Sequence, residues 1–413
     1  MKAIEDRLTS LSLFIRKNGI KRKELKKEAR TFMAFFSNIP DMRNQSYTKY
    51  KLENILGICF VMALMGKFTS FHHVEQYVKL KPRLFISLKL VEKGKYPSND
   101  TYMRVFSALD NRQLTDDTIK RIRLFMEKAG EAAGSSGRRM ISGDGQVIRG
   151  SFKGQGSAVN MFNLYDVSSG IVLTSVDVES KTNEIPVLQQ LLKRFSLRDA
   201  VVTADALHCQ AETVRTIIGR KGHYCFPVKD NQKSLNETIS RLFSARKPDD
   251  TVTLPERECI FIRLRQGEIS PEWEGAKTIV MSISSKREKR EKRKGETMYF
   301  LTSMTDPQEI AEAIEMRWQI ENGLHRFKDV QLHQDEISVR DRNALRNMAT
   351  MNNIVYSLYR IAASVRGESP QQTKIIFEDN PMGMLTEICP LLFGNTFTML
   401  VRKNMRGTKE SKK

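Results

Sequence analysis

The hydrophobic pattern of this 413-residue chain changes its period near Gly134–Gly137, and that change constrains the fold more than any other feature. Before it, residues 1–135 have a mostly helical pattern, and the apolar stretch Leu52–Met65 predicts a buried helix. After it, short apolar runs separated by glycine and serine predict strands at 140–144, 159–165 and 171–178. Helices and strands then alternate, so the chain is expected to form a mixed α/β layer.

The later part of the chain contains a less regular β-rich segment and two long helical patterns. Residues 232–304 hold short strand candidates around the basic run Lys286–Lys294, which is either an exposed hairpin tip or a phosphate contact. Helices are predicted at Pro307–Lys328 and Asn343–Ala363. The sequence therefore predicts an N-terminal helical domain at 1–135, an α/β domain at 138–366 and a basic C-terminal tail at 367–413.

The charge of the chain points to a polyanionic partner. Lys and Arg total 68 against 48 Asp and Glu, giving a net charge of +20. An anionic membrane is disfavoured because the longest apolar run, Ile55–Met65, is far shorter than the ~20 residues that span a bilayer. The N-terminus is a poor secretion signal, and the five scattered cysteines contain no CxxC pair. We therefore expect a cytoplasmic protein that binds nucleic acid.

Two predicted strands end in an aspartate beside a small residue. Asp144 follows Met140–Gly143, and Asp205 follows Val201–Ala204. Sites in open α/β sheets gather at the carboxyl ends of strands, and paired carboxylates bind Mg²⁺. Taken singly, such an aspartate is more often a turn former or a helix cap than a functional residue, but two together in a chain this basic favour a site.

A third carboxylate is available in the helical pattern at Pro307–Lys328. Glu321 lies four residues after Arg317 and seven before Lys328, spacings that place all three on one helix face together with His325. This face could hold a metal ion while its cations bind phosphates, or it could be a salt-bridge ladder on a solvated helix. His325 is interpreted as structural, because Mg²⁺ prefers oxygen ligands.

Seven motifs occur in a fixed order along residues 35–365. They are Ile39–Arg43, Pro97–Thr101, Asp144–Ser151, Lys181–Ile185, Thr203–Gln210, Val228–Gln232 and Trp318–His325. In this order they resemble the motifs of DDE transposases of bacterial insertion sequences, in particular the H-repeat-associated group. No single motif is decisive, but their order after a matching helical region is specific.

The resemblance implies an RNase H-like catalytic core with a β-rich insertion at about 232–304, preceded by a transposase-associated, DNA-binding helical domain. It implies Asp144, Asp205 and Glu321 as the catalytic, metal-binding triad, holding two Mg²⁺ ions with Mn²⁺ as a substitute. The family signature around the third acid is Tyr-x2-Arg-x3-Glu-x6-Lys. Here Ile314 replaces the tyrosine, while the arginine, glutamate and lysine are present.

The implied function is cleavage at transposon ends followed by transfer of the 3′ hydroxyl group into target DNA. We expect double-stranded DNA as the partner, both terminal inverted repeats and target, and a nucleoid-associated homodimer on that DNA. The candidate DNA-binding residues are Arg149, Lys229, Asn231, Arg317 and Lys328. A DDE-type nuclease that has lost transposition, a non-catalytic DNA-binding protein and, less favoured, an RNA-processing enzyme of the same fold are the alternatives.

Overall fold

The computed structural model describes residues 36, 39–44, 46, 48–116, 138–151, 158–178, 184–284, 296–380 and 383–385. The predicted boundary Gly134–Gly137 and the basic run Lys286–Lys294 lie outside the described residues. The same holds for residues 1–35 and for most of the predicted basic tail.

Helices and strands occupy most of the described chain. The α-helices are α1 Leu52–Leu64, α2 Phe71–Leu80, α3 Pro82–Ser87, α4 Asn99–Ala108, α5 Glu184–Leu192, α6 Ala211–Gly219, α7 Lys233–Ala245, α8 Pro307–Met316, α9 Arg326–Gln331, α10 Arg342–Arg366 and α11 Pro370–Glu378. The strands are β1 Arg139–Ile148, β2 Val159–Asp166, β3 Ile171–Val178, β4 Ala200–Ala204, β5 His223–Val228, β6 Asp250–Leu254, β7 Arg257–Arg263, β8 Thr278–Ser284 and β9 Thr297–Thr302. A π-helix spans Ile320–His325.

Within the described residues, nine strands form one mixed sheet in the order β3-β2-β1-β4-β5-β9-β8-β7-β6. β1 is antiparallel to β2 and parallel to β4, which is parallel to β5. The five strands β1 to β5, with helices on both faces, form the RNase H-like core. The expected α/β fold is therefore confirmed. The strands predicted as a β-rich insertion extend this sheet, because β9 pairs antiparallel with β5.

The strands of the core are buried on both faces of the sheet. All eight residues of β2 and all five of β4 are buried, which is typical of a sheet covered by helices on each side. Successive residues of β2 point to opposite faces. Met161 belongs to the hydrophobic core formed with α1, α4, α8 and α10, whereas Phe162 belongs to the core formed with α5, α6 and α7.

The described part of the N-terminal helical region packs on the long helix α10. The Asn347 side chain, buried in α10, donates hydrogen bonds to the carbonyl oxygens of Phe106 at 2.9 Å and Leu109 at 3.0 Å. The Tyr359 hydroxyl donates to the carbonyl of Leu64 at 2.7 Å. Eleven of the thirteen residues of α1 are buried in the shared core, which confirms the predicted buried helix.

Three predicted elements differ from the structure. β1 continues past Asp144 to Ile148, so Asp144 lies inside a strand and not at its end. The reason is non-local: antiparallel pairing with β2 carries β1 onward, although its parallel pairing with β4 stops at Gly143. A second difference is in the predicted tail, where Pro370–Glu378 forms α11 behind a capping box at Ser369.

The continuous helix predicted at Pro307–Lys328 is also wrong. α8 ends at Met316, a π-helix follows, and the Arg326 N–H donates to the carbonyl of Glu321, five residues back. Gly323 lies within this π-helix and faces the Tyr356 hydroxyl of α10, which a β-carbon at residue 323 would meet at 3.4 Å. Glycine also lowers helix propensity by about 1 kcal/mol relative to alanine. None of the helices in the described ranges is long and apolar enough to cross a membrane.

Candidate active site

Asp144 and Asp205 lie on neighbouring parallel strands. The register of β1 and β4 pairs Gly143 with Ala204, and the two aspartates are the next residues along the chain, Asp144 still within β1 and Asp205 just after β4. Both carboxylates therefore leave the backbone where the pairing ends, although β1 itself continues. Asp205 caps the short 3-10 turn Ala206–His208, because its Oδ1 accepts the Ala206 N–H at 2.7 Å. This cap fixes the direction of the carboxylate.

Glu321 reaches the same region from the π-helix. The π-helix contacts β1, and the Glu321 side chain is exposed. A π-helix widens the turn and shifts the side chains that follow relative to a regular α-helix. Within the described segment Glu321 is exposed, whereas Arg317, His325 and Lys328 are buried.

The shifted pKa values of Asp144 and Arg317 indicate that the carboxylates of Asp144, Asp205 and Glu321 lie near one another. Burial and, after it, the negative charges of Glu321, Glu184 and Asp205 together raise the pKa of Asp144 to about 7, opposed by a hydrogen bond from the Gly145 backbone. Burial lowers the pKa of Arg317, and the charges of Glu321, Asp205 and Asp144 oppose that lowering. The pKa of Asp144 therefore responds to both other members of the predicted triad, and the pKa of Arg317 responds to all three.

His325 holds the Asp144 carboxylate. Its Nδ1 lies 3.5 Å from Oδ2 of Asp144, and its Nε2 lies 3.2 Å from the side-chain nitrogen of Asn163. Burial, with the charge of Lys328, lowers the pKa of His325 well below its usual value, so the imidazole is neutral. Because the Asn163 amide donates to Nε2, the proton lies on Nδ1 and faces the carboxylate. This arrangement agrees with the structural role predicted for His325.

Lys328 lies behind this contact and is fully buried. Its Nζ donates to Oδ1 of Asn353 at 2.9 Å and to Oδ1 of Asn163 at 3.4 Å. Burial lowers the pKa of Lys328 to about 7. Asn163 pairs directly with Asp144 across β1 and β2. In this structure Lys328 therefore orients Asn163, and it does not reach the protein surface.

The remaining predicted DNA-binding residues divide into buried and exposed. Arg317 is 5% exposed, and its guanidinium stacks over the Trp318 ring at 4.1 Å. Arg149, Lys229 and Asn231 are exposed. The Asn231 side chain donates to the carbonyl of Ala206 at 2.8 Å, which places the motif Val228–Gln232 beside the Asp205 turn.

Glu184 is a fourth carboxylate at this site, and the sequence reasoning gave it no role. It begins α5, is 5% exposed, and its Oε1 accepts a hydrogen bond from the Asn160 side chain at 2.8 Å. The signal was present, because Glu184 belongs to the motif Lys181–Ile185. A lone acid at a helix start is normally explained by the helix dipole, which obscured it.

The donor chemistry of the site fits a hard divalent cation. Its ligating atoms are carboxylate oxygens, which Mg²⁺ prefers, and their mutual repulsion raises the pKa of Asp144. A bound cation would relieve that repulsion. No three His, Cys, Asp or Glu side chains within the described part of the chain already stand in an arrangement that could hold a metal ion. The described side chains would thus have to close further around the ion.

Residue 314, where the family signature has a tyrosine, is an isoleucine in this chain and supplies no hydroxyl group. Ile314 lies in α8 and is fully buried in the hydrophobic core. Its side chain packs among apolar neighbours and supplies no polar atom to the carboxylates. The described site therefore contains the arginine, glutamate and lysine of the family signature, but no phenol group at residue 314.

Comparisons with known proteins identify the family. Residues 135–358 match the family described as Transposase DDE domain, and residues 33–120 match one described as DDE_Tnp_1-associated. The chain is 28% identical over 367 residues to "Putative transposase YncI" of Escherichia coli O157:H7, covering 83% of this chain and 91% of that protein. It is 24% identical over 351 residues to "H repeat-associated putative transposase YhhI" of Escherichia coli (strain K12), covering 80% and 90%.

A solved structure described as a piggyBac transposase synaptic complex with hairpin DNA matches with a TM-score of 0.44 and 13% identity, covering 97% of this chain and 81% of that chain. The family match is the stronger finding, because it spans 224 of the 413 residues, from 135 to 358. It contains Asp144, Asp205 and Glu321, and it confirms the resemblance seen in the motifs. The chain belongs to the DDE transposase family described as Transposase DDE domain.

Proposed function

We propose that this chain is an insertion-sequence transposase that cleaves DNA at the transposon ends and joins the resulting 3′ hydroxyl groups to target DNA. The observation that carries the proposal is the convergence of three carboxylates at one end of the β1–β4 pairing. Asp144 and Asp205 directly follow Gly143 and Ala204, the last residue pair between β1 and β4. The charge of Glu321 raises the pKa of Asp144. Such carboxylate groups hold the metal ions of phosphoryl-transfer enzymes.

Asp144, Asp205 and Glu321 would hold two Mg²⁺ ions, with Mn²⁺ as a substitute. When bound, the ions supply activation of the attacking hydroxyl group and neutralisation of charge at the leaving 3′ oxygen. The protein contributes orientation. His325 faces Asp144 at 3.5 Å, and the Ala206 N–H holds Asp205 at 2.7 Å, so neither carboxylate depends on solvent for its direction.

The DNA contacts would come from exposed cations around this site. Arg149 follows the end of β1 with a side chain 84% exposed, and the exposed Lys229 lies two residues before Asn231, whose side chain is hydrogen-bonded to the Asp205 turn. The net charge of +20 supports a phosphate backbone as the partner, and it predicts binding that weakens steeply with salt. We propose that terminal repeats are bound by the N-terminal helical region and that two copies of the chain act together on DNA.

The test is strand cleavage by purified full-length protein on DNA that carries the ends flanking the gene. Asp144→Asn, Asp205→Asn and Glu321→Gln should bind this DNA with affinity near that of the wild type and lose Mg²⁺-dependent cleavage. Asp230→Asn, which removes an exposed carboxylate on the neighbouring turn, is the matched control and should cleave normally. Wild-type cleavage by any of the three variants would refute the triad.

A second assay separates transposition from simple nuclease activity. The wild-type protein should join ends supplied with a ready 3′ hydroxyl group to a target plasmid, whereas the three variants should not. Cleavage without joining would identify a nuclease that no longer transposes. DNA binding without Mg²⁺- or Mn²⁺-dependent nicking would identify a non-catalytic binding protein.

A further inference from the structure

Glu184 places its carboxyl group against the backbone of β1, one residue beyond Asp144. A β-carbon at Gly145 would overlap Oε1 of Glu184 and would lie 3.0 Å from its Cδ. Glu184 can approach the strand only because residue 145 has no side chain. The carboxyl group is thereby held next to the triad, although α5 belongs to a different layer of the fold from the π-helix.

The partners of Glu184 leave its charge poorly compensated. Oε1 accepts one hydrogen bond from Asn160, and Oε2 lies 3.7 Å from Nε2 of His208. Among the described residues, no lysine or arginine pairs with this carboxyl group. A buried carboxylate is stabilised by a cationic partner or a metal ion, and leaving it without either is costly.

A second observation points to a ligand at the same place. Oδ1 of Asn160 has no hydrogen-bond donor among the described residues, and the Asn160 side chain is buried, with the residue only 7% exposed. A β-carbon at Gly145 would lie 3.2 Å from this oxygen, so Oδ1 and the Glu184 carboxyl group border the same space above the strand. A carboxyl group without a cationic partner beside an amide oxygen without a donor forms a site for a cation or its bound water.

We propose that Glu184 is a fourth metal-holding carboxylate of this site, supported by the Asn160 side-chain oxygen. The inference rests on the proposed function, because it assigns Glu184 to the ions held by Asp144, Asp205 and Glu321. Glu184 would add one negative charge and an oxygen ligand from α5, and its charge is one of those that raise the pKa of Asp144. The His208 imidazole then orients the second carboxylate oxygen.

The test is Mn²⁺ binding to the full-length protein without DNA, followed by electron paramagnetic resonance or titration calorimetry. Glu184→Gln should weaken Mn²⁺ binding roughly 10- to 100-fold. Its melting temperature in the absence of metal should stay near that of the wild type, because glutamine preserves the shape and the acceptor for Asn160. The matched control is Glu75→Gln, which removes a largely buried carboxylate on α2 and should leave Mn²⁺ binding unchanged.

Glu184→Asp separates a charge from a packing role. If the carboxylate holds metal, this variant retains more Mn²⁺ affinity than Glu184→Gln. If Glu184 only packs and accepts the Asn160 hydrogen bond, the glutamine variant is the milder one and its Mn²⁺ affinity equals that of the wild type, which overturns the inference.

The Asp144→Asn variant, measured in the same way, distinguishes failure of the role of Glu184 from failure of the whole metal site. Loss of Mn²⁺ binding in Asp144→Asn together with wild-type binding in Glu184→Gln refutes the role of Glu184 alone. Equal Mn²⁺ binding by the wild type, Asp144→Asn and Glu184→Gln refutes the metal site of the proposed function, and the Glu184 inference fails with it.

Discussion

Replacing Lys328 by methionine tests whether this signature lysine is an interior residue or a phosphate contact. Lys328 is fully buried, and its Nζ has the side-chain oxygens of Asn353 and Asn163 as partners. Methionine has a similar length and no charge, so it fills the same space without an ammonium group. We expect Lys328→Met to stabilise the folded protein at neutral pH.

The magnitude follows from the pKa of Lys328, which burial lowers from 10.5 to about 7. Between these pH values the unfolded chain holds a proton that the folded chain has released, so the free energy of unfolding rises as the pH rises. Each pH unit in this window is worth up to about 1.4 kcal/mol. The lowered pKa of Lys328 therefore reduces the free energy of unfolding by about 4 kcal/mol at pH 7. At pH 9 this reduction is smaller by about 2 kcal/mol.

The assay is urea unfolding of the wild type and Lys328→Met at pH 7, 8 and 9. The difference in unfolding free energy between them should shrink by about 2 kcal/mol from pH 7 to pH 9. Lys229→Met, at an exposed lysine, is the matched control and should show no such change. If the pH dependence of Lys328→Met equals that of the wild type, and its DNA binding is weaker, Lys328 is a surface cation and the reasoning from burial is wrong.

Two further substitutions probe the supports of the carboxylates. Gly145→Ala adds a β-carbon that overlaps Oε1 of Glu184, so we expect a loss of about 1–3 kcal/mol in unfolding free energy and weaker Mn²⁺ binding, measured by urea unfolding and calorimetry. Wild-type Mn²⁺ affinity in this variant would contradict the placement. Asn231→Ala removes the hydrogen bond to Ala206, so we expect a loss of about 0.5–1.5 kcal/mol and slower cleavage at unchanged DNA affinity. Weaker DNA binding at a normal cleavage rate would instead make Asn231 a DNA contact.

The positions of Asp144 and Asp205 were predictable because the information is local. Each follows a short apolar run and precedes a small residue, so a buried strand leading to a ligand site was the natural interpretation. The end of β1 was not predictable in this way. It depends on pairing with β2, which keeps residues 144–148 in the sheet through partners at 159–163. A single sequence does not specify such non-local partners.

The third acid shows a different limit. Ordered motifs pointed to Glu321, but the regular helix predicted for residues 307–328 is replaced by a π-helix at Ile320–His325. This π-helix contacts β1, which lies far away in the sequence. Periodicity is a property of the segment alone, so it could not anticipate an interruption that depends on tertiary packing.

Charge patterns carry no information on burial, and this changes how the net charge of +20 should be interpreted. Arg317 and Lys328 seemed suited to phosphates because they flank an acid at helical spacing. In the structure the first faces the carboxylates and the second braces Asn163. We propose that interior cations of this kind position the acids and that phosphate binding is left to exposed side chains such as Arg149 and Lys229. Salt dependence of DNA binding should therefore respond to the exposed pair, while cleavage should respond to the buried pair.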